Sequence, residues 1–168
     1  MIAEFHVDGT MVWVRPLANE REARACAAIM AGSEPWITLG RGFDASLAIV
    51  SDPSREVYVA AHEGEVVGFL ILNMRGAFVG YIQTVAVHES WRGRGLGSRL
   101  VAFAEERILR DAPNVFMCVS SFNTRAKALY ERLGYEVVGE LKDYIVRGHS
   151  EWLLRKTTGP LSEFRPGG

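Results

Sequence analysis

YIQTVAVHESWRGRGLGSR, residues 81–99, decides how the rest of the chain reads. Tyr81 to Val87 is apolar and rich in β-branched residues, a polar turn follows, and Gly93, Gly95 and Gly97 lead into a strongly periodic run. That order predicts strand, glycine loop and helix. Lacking Cβ atoms, the glycines let the loop curl tightly and let its N–H groups approach a ligand closely. The same amides form the first turn of the helix, where they have no intrahelical partner and sit at the positive end of the dipole. Such a loop suits an anion, most naturally a phosphate or pyrophosphate. Arg92, Arg94 and Arg99 add positive charge at the same place.

Two familiar phosphate loops fail here on spacing. In a dinucleotide fingerprint the third glycine would stand where Ser98 is, and a Walker loop needs a lysine that does not follow. A third pattern is present, Arg92-x-x-Gly95-x-Gly97. It is short, so its weight depends on the elements around it.

The composition is that of an ordinary globular chain of one domain: 168 residues, 48% hydrophobic and 23% charged. Lys plus Arg number 19 against 20 Asp plus Glu, which excludes an overall charge that would recruit nucleic acid or an anionic membrane. Cys26 and Cys118 each sit in an apolar pattern and read as free thiols behaving as small hydrophobes, and with four scattered histidines they assemble no metal cluster. The N-terminal residues do not read as a signal peptide, and no apolar run reaches the ~18 residues that cross a bilayer. The expected location is the cytoplasm.

Outward from the central stretch, Val12 to Arg15 reads as a strand stopped by Pro16. Asn19 and Glu22 read as a capping box before a helix that ends at Gly32. A loop from Ser33 to Gly42 carries Trp36, and a second short helix spans Asp44 to the residues before Pro53. Trp36 and Phe43 read equally as core plugs or as lining of a substrate pocket. Val57 to Ala61, Val66 to Met74 and Phe78 to Val87 form three sequential strands with short turns, an antiparallel meander. After the glycine loop, Leu96, Leu100, Phe103, Ala104, Arg107 and Ile108 keep helical spacing, with Arg99, Glu105, Glu106 and Arg110 facing out. Val115 to Val119 reads as a buried strand parallel to Tyr81–Val87. Asn123 caps a helix through Ala126, Leu129, Tyr130 and Leu133, and Tyr135 to Gly139 and Tyr144 to Arg155 give the last strands, the second broken near Gly148. Thr157 to Gly168 reads as a loose tail.

Three local patterns in this order resemble the GNAT acyl-CoA N-acyltransferase superfamily over residues 12–156. They are the Arg92–Gly97 signature, the apolar tripeptide Val85-Ala86-Val87 closing the strand before it, and the run Asn123 to Tyr135. The resemblance implies an α/β (α+β) fold: a mixed, mostly antiparallel central sheet flanked by helices and splayed between the family's fourth and fifth strands. It implies an N-acetyltransferase domain over 12–156, with acetyl-CoA as cosubstrate and no metal.

The same resemblance implies that Val85, Ala86 and Val87 pair with the pantetheine arm through their backbone. Amides of Arg92, Gly93, Arg94, Gly95, Leu96, Gly97 and Ser98 would hold the pyrophosphate, and Asn123 would contact the pantetheine region. Tyr130 would be the general acid at the thioester sulfur; on the residues alone it reads as a packing tyrosine. The base is open. Relatives carry Glu where Cys118 and Tyr81 stand here, so Glu34, Gln83, Glu140 or a water held by them are the candidates. An α-amino acceptor near pKa 8 needs less help than a lysine near 10.4. The acceptor is a primary amine of small molecule or protein, its pocket shaped by Ser33–Gly42 and Lys142-Asp143-Tyr144. No nucleic acid or membrane partner is implied, and a homodimer is open. The rival readings are a CoA-binding GNAT-like sensor without transfer and, less well matched, an enzyme using the loop for ATP or NAD.

Overall fold

A computed structural model describes residues 1–167. The elements are β1 (Ala3–Val7), β2 (Thr10–Pro16), α1 (Glu20–Ala31), α2 (Phe43–Val50), β3 (Glu56–His62), β4 (Glu65–Asn73), β5 (Tyr81–Val87), α3 (Leu96–Ile108), β6 (Asn114–Ser120), α4 (Thr124–Arg132), β7 (Glu136–Leu141) and β8 (Glu151–Thr157). One eight-stranded sheet has the order β1-β2-β3-β4-β5-β6-β8-β7. Every neighbouring pair is antiparallel except β5 and β6, which are parallel. The mixed, mostly antiparallel sheet flanked by helices is the expected fold class. Its fourth and fifth strands are β5 and β6 here, because β1 adds a strand at the start.

β1 itself is a departure from the sequence reading. Asp8 and Gly9 adopt φ of 49° and 77°, the left-handed pair that a two-residue hairpin needs, and they return β1 onto β2 with Ala3 opposite Val14. The Asp-Gly dipeptide was the available signal. At the other end, only Glu151–Thr157 of the expected Tyr144–Arg155 strand is extended. Asp143 takes a φ of 52° and accepts a hydrogen bond from the Gly148 amide at 2.6 Å, which folds the intervening residues into a turn. The chain after β8 packs against the molecule, with Thr158 N–H donating to the Pro113 carbonyl at 2.9 Å.

The helix ends follow the caps. Asn19 Oδ1 accepts from the Glu22 amide at 3.0 Å, but Glu22 reaches back to the Ala18 amide at 2.9 Å rather than to Asn19, and also pairs with Arg15 through both carboxylate oxygens at 3.0 and 2.6 Å. That guanidinium holds the Glu22 carboxyl below its usual range. Two cores result, one on each face of the sheet. Leu96, Leu100, Phe103 and Ile108 of α3 pack on Leu70, Leu72, Ile82, Val115 and Met117. Cys26 and Met30 of α1, with Val50 of α2, pack on Phe69, Ile71 and Ala86 of the opposite face. Each such buried large side chain contributes about 1.5–3 kcal/mol. Burial pushes the Cys26 thiol up to about 12. Glu105, expected on the outer face of α3, turns inward instead, accepting from Tyr135 Oη at 2.9 Å and pairing with Lys156 Nζ at 2.9 Å.

The site is positioned by how β5 and β6 meet. Gly80 precedes β5 at φ 90°, and its carbonyl accepts from the Phe116 amide at 2.9 Å. Register pairing continues only through Tyr81–Phe116 and Ile82–Met117. Beyond that, Thr84 to Val87 has a strand partner only on the β4 side, and Gln83 is the extra residue at the register shift between Ile71 and Leu72, where β5 bends. A Cβ on Gly80 would lie 2.4 Å from the Asn114 carbonyl oxygen and 2.6 Å from Ile108 Cγ2. The Gly80→Ala variant therefore combines left-handed strain with backbone overlap, and should lose about 2–5 kcal/mol of stability in urea unfolding; an unchanged midpoint would show that this junction is not tightly held.

Candidate active site

The notch opened by β5 and β6 continues into one cleft of about 1170 Å³, on the generous side for a small-molecule site. Its walls come from the loop after α1, the free side of β5, the glycine loop, β6, the start of α4 and the turn before β8. Of the residues singled out from sequence, Tyr130, Val85, Ala86, Val87, Arg92, Gly93, Gly95, Leu96, Gly97, Ser98 and Asn123 all border it. Arg94 does not. Its guanidinium pairs with Asp8 at 2.8 Å and lies 4.1 Å from the Trp91 ring centre, so it braces the loop against the β1–β2 hairpin.

At one end lies the glycine loop. Gly95, at φ 83°, is the N-cap of α3, and the first helical bond runs from the Arg99 amide to the Gly95 carbonyl at 3.2 Å. The amides before it are the orphan donors of the helix start. Gly93 is also left-handed, at φ 72°, and a Cβ on either glycine would meet nothing within 4 Å. The approach to the nest is therefore open, and the donor set fits a pyrophosphate. Arg92 borders this end, but its amide donates to the Glu89 carbonyl at 3.4 Å and its side chain turns away to donate to the Val87 carbonyl at 3.2 Å and to Ser33 Oγ at 2.7 Å. That bond ties the glycine loop to the loop after α1 and occupies one lone pair of the Val87 carbonyl. Arg99 lies toward Phe5, 5.8 Å from the ring centre.

In the middle, Asn123 spends its Oδ1 on capping α4, accepting from the Ala126 amide at 3.3 Å. Tyr130, one helical turn beyond, packs edge-on to Tyr135 with ring centres 6.1 Å apart. Its hydroxyl makes no hydrogen bond to protein among the described residues, and burial raises its pKa, keeping the phenol protonated.

The far end is the expected acceptor side. Trp36 serves both of the roles weighed from sequence, since it is buried in the α1–α2 core and also borders the cleft. Tyr144 borders the cleft from the other side, 60% exposed. The candidate bases separate: Glu34 is exposed and accepts from the Thr38 amide at 3.2 Å, and Gln83 borders the cleft, whereas Glu140 lies outside it and accepts from Ser150 Oγ at 2.7 Å. Burial pushes up both Tyr81 and Cys118, which stand next to each other across the junction. Sequence reasoning missed Glu151, which borders this end of the cleft and is 5% exposed. Among the described residues no group of three or more His, Cys, Asp or Glu side chains is placed to hold a metal ion, and no helix is long and apolar enough to cross a membrane.

Comparison with known proteins adds the following. The profile of the acetyltransferase (GNAT) family matches residues 22–135. N-alpha-acetyltransferase MAK3 of Arabidopsis thaliana is 32% identical over 102 residues, 58% of this chain and 54% of that protein, so the chain spans about half that relative's length. N-alpha-acetyltransferase RimI of Mycobacterium tuberculosis is 29% identical over 149 residues, 82% of this chain and 88% of that protein. In fold, the chain matches the structure of yncA from Salmonella typhimurium with its cofactor acetyl-CoA, with a TM-score of 0.68, 17% identity, and coverage of 92% of this chain and 97% of that one.

Two substitutions at the N-cap test the nest. Gly95→Ala carries only the cost of a left-handed alanine, whereas Gly95→Glu also puts a carboxylate beside the orphan amides. Calorimetric titration with coenzyme A should show the Glu variant at least ~10-fold weaker than the Ala variant; equal affinities would move the anion site elsewhere.

Proposed function

The chain belongs to the GNAT acetyltransferase family, and on that premise we propose that it is an N-acetyltransferase, transferring the acetyl group of acetyl-CoA to a primary amine by direct attack on the thioester. The observation that carries this reading is the early end of β5–β6 pairing, which joins an amide nest, an unpaired strand edge and a half-buried tyrosine in one cleft. MAK3 and RimI, both named as N-alpha-acetyltransferases, support an amine acceptor, and the acetyl-CoA held by yncA supports the donor. Cys26 and Cys118 are free thiols, in keeping with a cytoplasmic protein.

Acetyl-CoA supplies the thioester when bound. In this reading the amides from Gly93 to Ser98 take the pyrophosphate, the Arg92 amide of the expected set being bonded to the Glu89 carbonyl. The free side of Val85-Ala86-Val87 accepts the pantetheine arm as an added strand, and Asn123, with Oδ1 committed to its helix, offers Nδ2 to the same arm. A strand amide near Val85 faces the oxygen on which charge develops. Tyr130 gives its proton to the departing sulfur. A phenol near 10 protonates a thiolate near 8.5 only uphill, and burial of Tyr130 widens that gap while keeping the donor loaded at neutral pH. The step therefore belongs to a transient hydrogen-bonded geometry.

This role is read out by Tyr130→Phe, for which turnover measured by thiol release should fall by about 10²-fold while acetyl-CoA affinity changes less than about 2-fold. Wild-type binding of acetyl-CoA without thiol release from any amine would favour the sensor reading. Full turnover in the variant would remove Tyr130 from the chemistry.

A further inference from the structure

Glu151 opens β8 with Ser120 of β6 as its register partner, and Cys118 lies two residues back along β6. Tyr81 of β5 is the register partner of Phe116, which shares a face with Cys118 and Ser120 by strand alternation. Val115, Met117 and Val119 point instead into the core beneath α3. Tyr81, Cys118, Ser120 and Glu151 therefore share the opposite face of the sheet, and all four border the cleft beyond its Tyr130 end.

Within that group Glu151 stands out. The residue is 5% exposed, and its Oε2 is sealed from solvent without a hydrogen-bond partner; Ser120 Oγ, beside it, is equally unpartnered. A buried carboxylate with an unmet oxygen is costly, and such groups are ordinarily paired. The groups facing it are Tyr81 from β5, Cys118 and Ser120 from β6, Arg41 from the loop after α1, and His149 from the turn before β8. The Ser120 hydroxyl beside it, and then Arg41 and His149, favour its charged form, and neither cation forms an ion pair with it. Burial dominates and raises the Glu151 pKa, narrowing the gap to that of an ammonium ion. Trp36, Leu39, Tyr144 and Ile145 supply apolar and aromatic surface at the same end, with Glu34 and Arg41 beside them.

From this arrangement we infer that Glu151 receives the acceptor's ammonium group and takes its first proton, and that the acceptor is a primary amine carried on an apolar or aromatic group. The inference rests on the acetyltransferase reading above. The protons balance. The ammonium gives one proton to the Glu151 carboxylate, and the freed nitrogen attacks the thioester carbonyl. As the new C–N bond stays and the C–S bond breaks, the sulfur takes the Tyr130 proton and leaves as a thiol. The second proton on nitrogen restores the phenol, and Glu151 releases its own to solvent.

The test is Glu151→Gln, which keeps the shape and removes the charge, assayed with phenethylamine, tyramine and phenylalanyl-glycine amide. In calorimetry of the coenzyme A complex at pH 7, wild type should bind at least one of these amines, and the variant should bind it at least ~10-fold more weakly. Thiol release should fall about 10²-fold in kcat/KM, and the acidic limb of the wild-type pH profile should vanish. Stability gives an independent sign. A carboxyl raised in the folded state supports folding fully below about pH 4.3, the ordinary glutamate value, and loses that support as pH rises through its raised pKa. The variant should therefore melt above wild type at pH 7 and level with it near pH 4. Amine binding by wild type that the variant keeps, or a variant less stable than wild type at pH 7, would overturn the inference. So would binding of none of the three amines. Failure of wild type to bind acetyl-CoA would instead overturn the acetyltransferase reading itself.

Discussion

Two parallel strands held together by only two register pairs, Tyr81–Phe116 and Ile82–Met117, stand at the centre of the sheet. A strand edge inside a sheet exposes backbone donors and acceptors that water or another chain must satisfy. The protein keeps this edge because each strand is secured on its outer side, β5 by β4 and β6 by β8. Gly80 closes the near end of the junction, where a side chain would strike the Asn114 carbonyl. The cleft follows from that geometry. Its far walls, the glycine loop and the start of α4, are the segments that leave the ends of the two diverging strands.

Electrostatics around the cleft are less diffuse than three arginines near a glycine loop would suggest. Arg94 is committed to Asp8 and Trp91, and Arg92 to Ser33 and the Val87 carbonyl. What the glycine loop itself offers an anion is chiefly the fixed partial charge of the helix start, while Arg75, Arg125 and Arg132 border the cleft elsewhere. Such a donor set is directional and costs no side-chain ordering when a ligand arrives, which favours one geometry over mere negative charge. The opposite end differs in kind, with the buried Glu151 beside aromatic residues and Arg41.

What could be read from sequence follows from how local each signal is. The glycine nest, the Asn19 and Asn123 caps and the β3–β4–β5 meander are set by neighbours a few residues apart, and they stand where the sequence put them. The β1 hairpin is equally local, in Asp8-Gly9, but a two-residue turn is a weaker signal than the β-branched run from Val12. Glu105 was read as solvated because helical phase does not reveal that Tyr135 and Lys156 converge on it from far along the chain. Glu151 was hidden for a deeper reason. Alternation assigns it a face of β8, but only the insertion of β8 between β6 and β7 brings it opposite Ser120. Glu140, chosen from the same region, falls on β7, one strand too far out.

That insertion also governs the order in which the molecule can be built. β7 has no sheet neighbour except β8 among the described residues, and β6 meets β8 only after thirty intervening residues, between Ser120 and Glu151. The β1–β2 hairpin and the β3–β4–β5 meander form from adjacent strands and can collapse early, whereas pairing across long connections, β2 with β3 and β6 with β8, is slow. During synthesis the amide nest of α3 can therefore exist before the acceptor side does. Until β8 arrives, the outer edge of β6 stays bare, an apolar strand open to pairing with other chains. The last strand in the sequence is thus both the closing piece of the reaction cleft and the cover over the protein's most aggregation-prone edge.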